Sequence, residues 1–288
     1  MINRDITHND IMAGIVLYDP DIVRLKENVY AVKNQVDRVL LVDNNSKNVN
    51  KIRAIFIKDT TVYLIENTKN LGVATALNQI MTYAEQHEYE WVLTLDQDSV
   101  VSSNIINEYE RYLNIPNIGI VCCKICDRNF ERERDRNISK ECECVKFCIT
   151  SGALTNVDTW KKIGGFDDFM FIDSVDVDFC ISLNNSGYKI VKTYLTYILH
   201  EVGHSYTVKL FGREELVLNH SPFRCYYIIR NEIYLGRKYD SESMLIHLLR
   251  AFKRILIVML YEKQKISKGR AMLKGFIDGF GKTYKTAS

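Results

Sequence analysis

Three groups of ionisable side chains stand where they could do chemistry. The first is Asp96-Gln97-Asp98, directly after the apolar run Trp91-Val92-Leu93-Thr94-Leu95. Two carboxylates one residue apart at the end of a buried strand converge on a hard cation. Followed by Ser99, the same triplet also has the composition of a helix cap, and on spacing alone the two readings are equal. The second group is Asp173-Ser174-Val175-Asp176-Val177-Asp178. Carboxylates packed this densely repel one another unless a cation or polar network compensates, and capping accounts for one of them at most. The third is His200 and His204, after the apolar Tyr197-Ile198-Leu199. Either imidazole could ligate a metal or settle a pyrophosphate, and either could equally be structural.

The eight cysteines offer a different metal chemistry. Cys123 and Cys126 are spaced like half a zinc site, and Cys142, Cys144 and Cys148 could add ligands. The second pair has a poor spacing, however, and most of these thiols lie in apolar stretches where a reduced cysteine behaves as a small hydrophobe.

Positioning these groups requires a regular scaffold. Strand patterns cover residues 11–18, 38–43, 61–66 and 91–96, with helical spacing at 21–35, 49–56 and 72–86 between them. Near-continuous apolar strands alternating with helices predict an α/β fold, a parallel sheet covered on both faces. Ligands bind beyond the carboxyl ends of such strands. That rule selects Tyr18-Asp19, Asp43-Asn44-Asn45-Ser46, Glu66-Asn67 and Asp96-Gln97-Asp98. The charge-dense residues 127–143 read as a solvated loop. Further strands are expected at 144–150 and 188–199, around a helix at 176–186. From Pro222 the pattern is helical only, at 223–238, 241–263 and 267–280, and a boundary is placed near residue 210.

With 47% hydrophobic and 26% charged residues among 288, and only 3 Pro, the chain is globular rather than disordered. Its longest late apolar run, residues 255–261, is far short of the roughly 20 residues that cross a bilayer. The first residues lack the order of a secretory signal, so a cytoplasmic protein is expected. No G-x-G-x-x-G follows the first strand, which excludes a dinucleotide oxidoreductase, and no nucleic-acid partner is expected. The net charge of +2 conceals an asymmetry. Residues 209–288 carry 16 basic and 7 acidic side chains, and residues 1–208 carry 22 and 29. An acidic body suits a cation, and a basic tail suits an anionic surface. Within that tail Leu245, Leu248, Leu249, Phe252, Leu256 and Met259 form an apolar stripe beside Arg250, Lys253 and Arg254. The stripe reads either as core packing or as docking on the inner face of an anionic membrane.

The order of the motifs resembles the family 2 nucleotide-sugar glycosyltransferases of GT-A fold, and within them the bacterial rhamnosyltransferases of capsule and cell-wall polysaccharide synthesis. The resemblance runs through Tyr18-Asp19-Pro20, Val42-Asp43-Asn44-Asn45-Ser46, Asn70-Leu71-Gly72 with Asn78, and Leu95-Asp96-Gln97-Asp98-Ser99. It continues through Thr150-Ser151-Gly152, Ile163-Gly164-Gly165-Phe166-Asp167, Phe171-Ile172-Asp173 with Val175-Asp176-Val177-Asp178, His200-Glu201-Val202-Gly203, and Tyr226-Tyr227 with Arg230-Asn231. Two positions depart from the pattern: the central acidic pair is Val175-Asp176, and Tyr18-Asp19 replaces a common Tyr-Asn.

What the resemblance implies can be stated by residue. The fold would be a Rossmann-like mixed sheet with helices on both faces, a GT-A catalytic domain at 1–210 and a basic helical extension at 211–288. The extension would serve as a membrane-surface or acceptor-side element. The activity would be inverting transfer of L-rhamnose from dTDP-rhamnose to a saccharide, lipid-linked, with UDP-galactofuranose or UDP-glucose as alternative donors. A non-catalytic nucleotide- or glycan-binding relative is the alternative of a different class. Asp43 would accept the N3–H of a pyrimidine, which uracil and thymine share, and the backbone of Leu17 and Tyr18 would line the base pocket. Asn70, Gly72 and Asn78 would touch the nucleotide or hold its loop. Asp96 and Gln97 would face the donor, with Asp96 a further metal ligand. Asp98 and His200 would bind Mn2+ or Mg2+, His204 standing in if the register shifts. Asp176 would be the general base, Gly152 would let the acceptor approach, and Asp173 would position it.

Overall fold

The apolar runs Ile11–Leu17 (β1), Arg38–Asp43 (β2), Val62–Glu66 (β3) and Trp91–Asp96 (β4) need cover on both faces. In the computed structural model, which describes residues 10–127, 140–200, 206–210, 213–239 and 243–281, these strands lie parallel in the order β3-β2-β1-β4. Their connections are the helices Ile22–Val32 (α1), Val49–Phe56 (α2) and Val73–Gln86 (α3). Asp21 starts α1 by accepting hydrogen bonds from the backbone N–H of Val23 and Arg24. α3 lies so close to β1 that a Cβ on Gly14 would sit 2.2 Å from Ile80 Cγ2. Side chains such as Ile15, Leu41 and Leu93 are fully buried, each worth about 1.5–3 kcal/mol of burial.

Beyond β4 the sheet becomes mixed. Val100–Val101 (β5) is followed by Ile105–Glu110 (α4), Ile118–Asp127 (β6), Cys142–Val145 (β7), Ala153–Asn156 (β8), Val157–Lys162 (α5), Val175–Asn185 (α6) and Lys189–His200 (β9). The nine-stranded order is β3-β2-β1-β4-β8-β6-β9-β5, with β7 also on β9. β8 runs antiparallel to both β4 and β6. Sequence patterning does not anticipate β6 or β8, since β6 is interrupted by Lys124 and three cysteines and β8 has four residues. The strand expected at 144–150 is shorter: β7 ends at Val145, where its pairing with Ile190 of β9 ends.

The described contacts divide into two compact units. The first contains the sheet and α1–α5, with α6 from Asp176 onward. The second contains Met170–Val175, the hairpin Tyr206–Leu210 (β10) and Arg213–Val217 (β11), and the helices Pro222–Lys238 (α7), Met244–Tyr261 (α8) and Lys265–Gly281 (α9). Residue 210 falls inside that hairpin, which sequence patterning does not foresee. The second unit has its own core of Cys225, Ile229, Ile233, Ala251, Val258 and Met272. No helix among the described residues is long and apolar enough to cross a membrane.

Candidate metal and nucleotide site

Asp96 is the last residue of β4 and pairs in register with Val16 of β1, so the turn after it opens beside Leu17 and Tyr18. Capping is not what that turn does. It leads into β5, not a helix, and α4 begins at Ile105 after Asn104. β5 pairs antiparallel with the end of β9, Val100 opposite Leu199, and this pairing returns His200 to the turn. His200 Nδ1 lies 3.8 Å from Asp98 Oδ1 and 3.0 Å from the Ser99 hydroxyl. Among the described residues Asp96, Asp98 and His200 are the one His/Cys/Asp/Glu group able to surround an ion, their ligand atoms within 4.8 Å of one another. Two carboxylates from the end of β4 and its turn and an imidazole from the end of β9, all half-buried, are a donor set that fits Mn2+ or Mg2+.

The support for this turn is largely invisible in the motif. Ser151 donates no charge but bridges it: its hydroxyl accepts from Asp96 N–H at 3.0 Å and lies 2.8 Å from the buried Ser99 hydroxyl. Asn28 Nδ2 donates to the Asp96 carbonyl at 2.7 Å from α1. Asn28 is fully buried among Leu25, Val29 and Val32, a polar residue interrupting an apolar helix face, which is the signal that could have found it.

The cysteines do not form a second centre. Cys148 Sγ is 4.0 Å from Cys180 Sγ, and hydrogen bonds to Cys122 and Cys180 together with burial hold the Cys148 thiol protonated. Cys123 is likewise pushed up to about 12 by burial. Protonated, apolar-buried thiols are poor zinc ligands.

The other strand ends are stitched to one another. Gln97 Oε1 accepts from Tyr18 N–H at 2.8 Å, Leu17 O accepts from Asn44 N–H at 2.8 Å, and Asp19 N–H donates to the Ser46 hydroxyl at 2.8 Å. Asn44, buried and given no role by the sequence reading, ties the third loop in. It donates to Gly72 O at 3.1 Å and accepts from Asn67 Nδ2 at 3.0 Å. Gly72 holds φ +88°, a conformation that favours glycine, and its N–H donates to Asn70 Oδ1 at 2.9 Å. Asp43 is 1% exposed; its Oδ2 accepts from Ser46 N–H at 2.8 Å, while Oδ1 is buried with no hydrogen-bond partner. A buried carboxylate oxygen without a donor is costly, and a bound N–H would relieve that cost.

Three expected residues have tasks in the protein's own framework. Asn78 Oδ1 accepts from Trp160 Nε1 and Phe166 N–H, and Nδ2 donates to Phe166 O and Asp168 Oδ1, so its amide ties α3 to the 166–168 turn. Gly152 holds φ +79°, donates to Thr94 O at 2.8 Å, and has Ile198 where a Cβ would be. Asp173 belongs to the second unit, where Arg224 grips its carboxylate at 2.8 and 3.0 Å. Asp176 stands in the first turn of α6, with Oδ1 accepting from Val177 N–H at 2.9 Å. It lines a narrow crevice with Thr150, Phe166 and Phe179. Thr150 is the neighbour of the Ser151 that braces Asp96. His204 lies outside the described residues.

The loop before Asp176 is held by the motif Tyr226-Tyr227 with Arg230-Asn231. Phe171, Asp173 and Ser174 all take left-handed φ (+58°, +63° and +61°), each costing about 1–2 kcal/mol without glycine. Within the second unit Asn231 Nδ2 lies 2.7–2.9 Å from the carbonyls of Met170, Ile172 and Asp173, and Arg230 Nη2 donates to Met170 O at 3.1 Å. Tyr227 stacks on Phe171 at 4.8 Å. His220 sits near the same place, its pKa lowered to about 4, first by burial and then by Arg224.

Comparison with known proteins gives the family and the fold. Residues 15–180 match the family model described as glycosyl transferase family 2. The chain is 26% identical to the dTDP-rhamnosyl transferase RfbF of Shigella flexneri, over 94% of this chain and 96% of that protein. Among solved structures, GalNAc-T7 with UDP, GalNAc and Mn2+ matches with a TM-score of 0.63 at 12% identity, covering 94% of this chain and 56% of that one. The mannosyltransferase PcManGT of Pyrobaculum calidifontis, in complex with GDP-Man and Mn2+, matches with a TM-score of 0.58 at 13% identity, covering 96% and 89%. The fold is therefore GT-A, with a mixed central sheet and C-terminal helices.

Proposed function

We propose, from the premise that this chain belongs to glycosyl transferase family 2, that it moves L-rhamnose from dTDP-rhamnose to a saccharide acceptor with inversion at the anomeric carbon. The acceptor is a lipid-linked saccharide of capsule or cell-wall polysaccharide synthesis, met on the cytoplasmic side. The observation that carries the transferase reading is the Asp96–Asp98–His200 cluster, set among strand ends that also hold a buried, unsatisfied Asp43 oxygen. Likeness to the Shigella flexneri protein along nearly its whole length supports the donor.

On this reading Asp43 Oδ1 accepts the pyrimidine N3–H, between the backbone of Leu17 and Tyr18 and the loop shaped by Asn70 and Gly72. Asp96 and Gln97 orient the ribose and donor sugar. Asp98 and His200, with Asp96, would hold Mn2+ or Mg2+, which when bound supplies Lewis-acid stabilisation of the charge on the departing diphosphate. Asp176 takes the acceptor hydroxyl proton as that oxygen bonds to the anomeric carbon. The bond from that carbon to the diphosphate oxygen breaks, and its electron pair leaves with the nucleotide. A single displacement inverts the centre.

Retention of Asp98 and Asp176 favours a catalyst over a binding-only relative. Asp43 does not separate thymine from uracil, so UDP-galactofuranose and UDP-glucose belong in the test. Calorimetric titration of dTDP-rhamnose and the two UDP-sugars, with Mn2+ or with EDTA, is expected to give metal-dependent binding strongest for dTDP-rhamnose. Asp98→Asn is expected to remove the metal dependence. Absence of binding by all three donors would overturn the transferase reading, and tighter binding of a UDP-sugar would overturn only the donor.

A further inference from the structure

α8 and α9 both pack on α7, and both turn an apolar stripe outward. On the inner side Gly275 and Gly279 let α9 lie directly on α7: a Cβ at Gly275 would sit 2.3 Å from Tyr226 O, and one at Gly279 2.8 Å from Arg230 O. Ala251 and Val258 of α8 join the core that α7 shares with α9. The opposite faces of a water-exposed helix should be polar. Here they carry Leu245, Leu249 and Phe252 on α8, at i, i+4 and i+7, and Ile266, Leu273 and Ile277 on α9, at i, i+7 and i+11. Their exposure is high: Phe252 64%, Ile266 74%, Leu273 62% and Ile277 61%.

The charges beside these stripes identify the occupant. Lys263, Lys265, Arg270 and Lys274 are exposed. The two acidic residues between Met244 and Gly281 are withdrawn: Glu262 is buried against Lys268 and Arg254, and Asp278 accepts from the Tyr226 hydroxyl. A second copy of the chain would bring a like-charged basic surface against this one, whereas an anionic bilayer offers phosphate to the cations and acyl chains to the stripe. No described helix is suited to spanning, so contact of this kind is confined to the interface.

We propose that α8 and α9 form an interfacial docking surface for a bilayer rich in anionic phospholipid. The surface is independent of which sugar is transferred.

Sedimentation of the full chain with vesicles tests it. Binding is expected to vesicles of phosphatidylcholine with about 30 mol% phosphatidylglycerol, to be at least about tenfold weaker on phosphatidylcholine alone, and to fall with added salt. Phe252→Gln with Ile277→Gln, and separately Arg270→Gln with Lys274→Gln, are each expected to weaken vesicle binding about tenfold or more. Circular dichroism and donor binding should not change, which separates this surface from the transferase site. No binding to anionic vesicles at low salt overturns the proposal, as does binding that neither double variant weakens. Self-association that Phe252→Gln with Ile277→Gln abolishes, with vesicles ignored, would overturn it in favour of a second copy.

Discussion

The two units treat charge and apolar surface in opposite ways. The first packs its main apolar core around a nine-stranded sheet and brings Asp96, Asp98 and His200 half-buried to a strand end. The second buries one ion cluster, the Glu262 side chain 0% exposed between Lys268 at 2.8 Å and Arg254 at 3.3 Å, and leaves large apolar side chains and other cations in water. Lys268 also donates to Asn219 Oδ1 at 2.8 Å, so that cluster is satisfied within the protein. Internally satisfied charge holds a fold together, whereas the Asp96–Asp98–His200 group and the buried Asp43 oxygen without a hydrogen-bond partner are candidates to meet a ligand.

Four experiments break or sharpen this contrast, in order of decreasing effect. Asp176→Asn should lower turnover about 10³-fold with donor affinity and melting temperature unchanged. Retained turnover would remove the base from α6. Lys268→Met should do the reverse, costing up to about 3 kcal/mol by leaving the buried Glu262 carboxylate with Arg254 as its remaining ion-pair partner among the described residues. Denaturant unfolding measures it, and a loss under about 1 kcal/mol would show that the ions of the second unit are not structural. Asp43→Asn keeps the Ser46 contact within reach of its amide but replaces a charged acceptor, so dTDP and UDP should both bind about ten- to thirtyfold more weakly by calorimetry. Unchanged affinity would move the base pocket elsewhere.

The smallest effect is pH-dependent. His220 is neutral when folded, with a pKa lowered to about 4 from an ordinary 6.5. The unfolded chain therefore binds the extra proton between those values. Its contribution to stability is complete above pH 6.5, declines as pH falls toward 4, and is constant below that. The loss is of the order of 2 kcal/mol, allowing for solvent around a partly buried ring. His220→Gln should flatten this part of the stability profile; an unaltered profile would assign the acid sensitivity to other groups.

Local pattern was enough for much of this. β2, β4 and α2 occupy the residues that apolar periodicity assigns them, because strands covered on both faces and amphipathic helices write their period directly into the chain. The acidic triplet and the late histidine were visible as residue types. β6 and β8 were not, because their pairing is made with distant strands, and the β10–β11 hairpin was not, because the composition of its own residues is ambiguous.

The sequence by itself determined the family, the fold class and which carboxylates were available. It left Asp96-Gln97-Asp98 balanced between a cap and a metal site, since both uses need a carboxylate after a strand. Tertiary structure removes the cap: β5 follows instead of a helix, and its pairing with β9 carries His200 across about a hundred residues to 3.8 Å from Asp98. The same holds for Asn28, Asn44 and Ser151, whose neutral side chains mean nothing in isolation and acquire their roles from what stands opposite. Period is a property of neighbouring residues, whereas convergence on a point is a property of the folded chain.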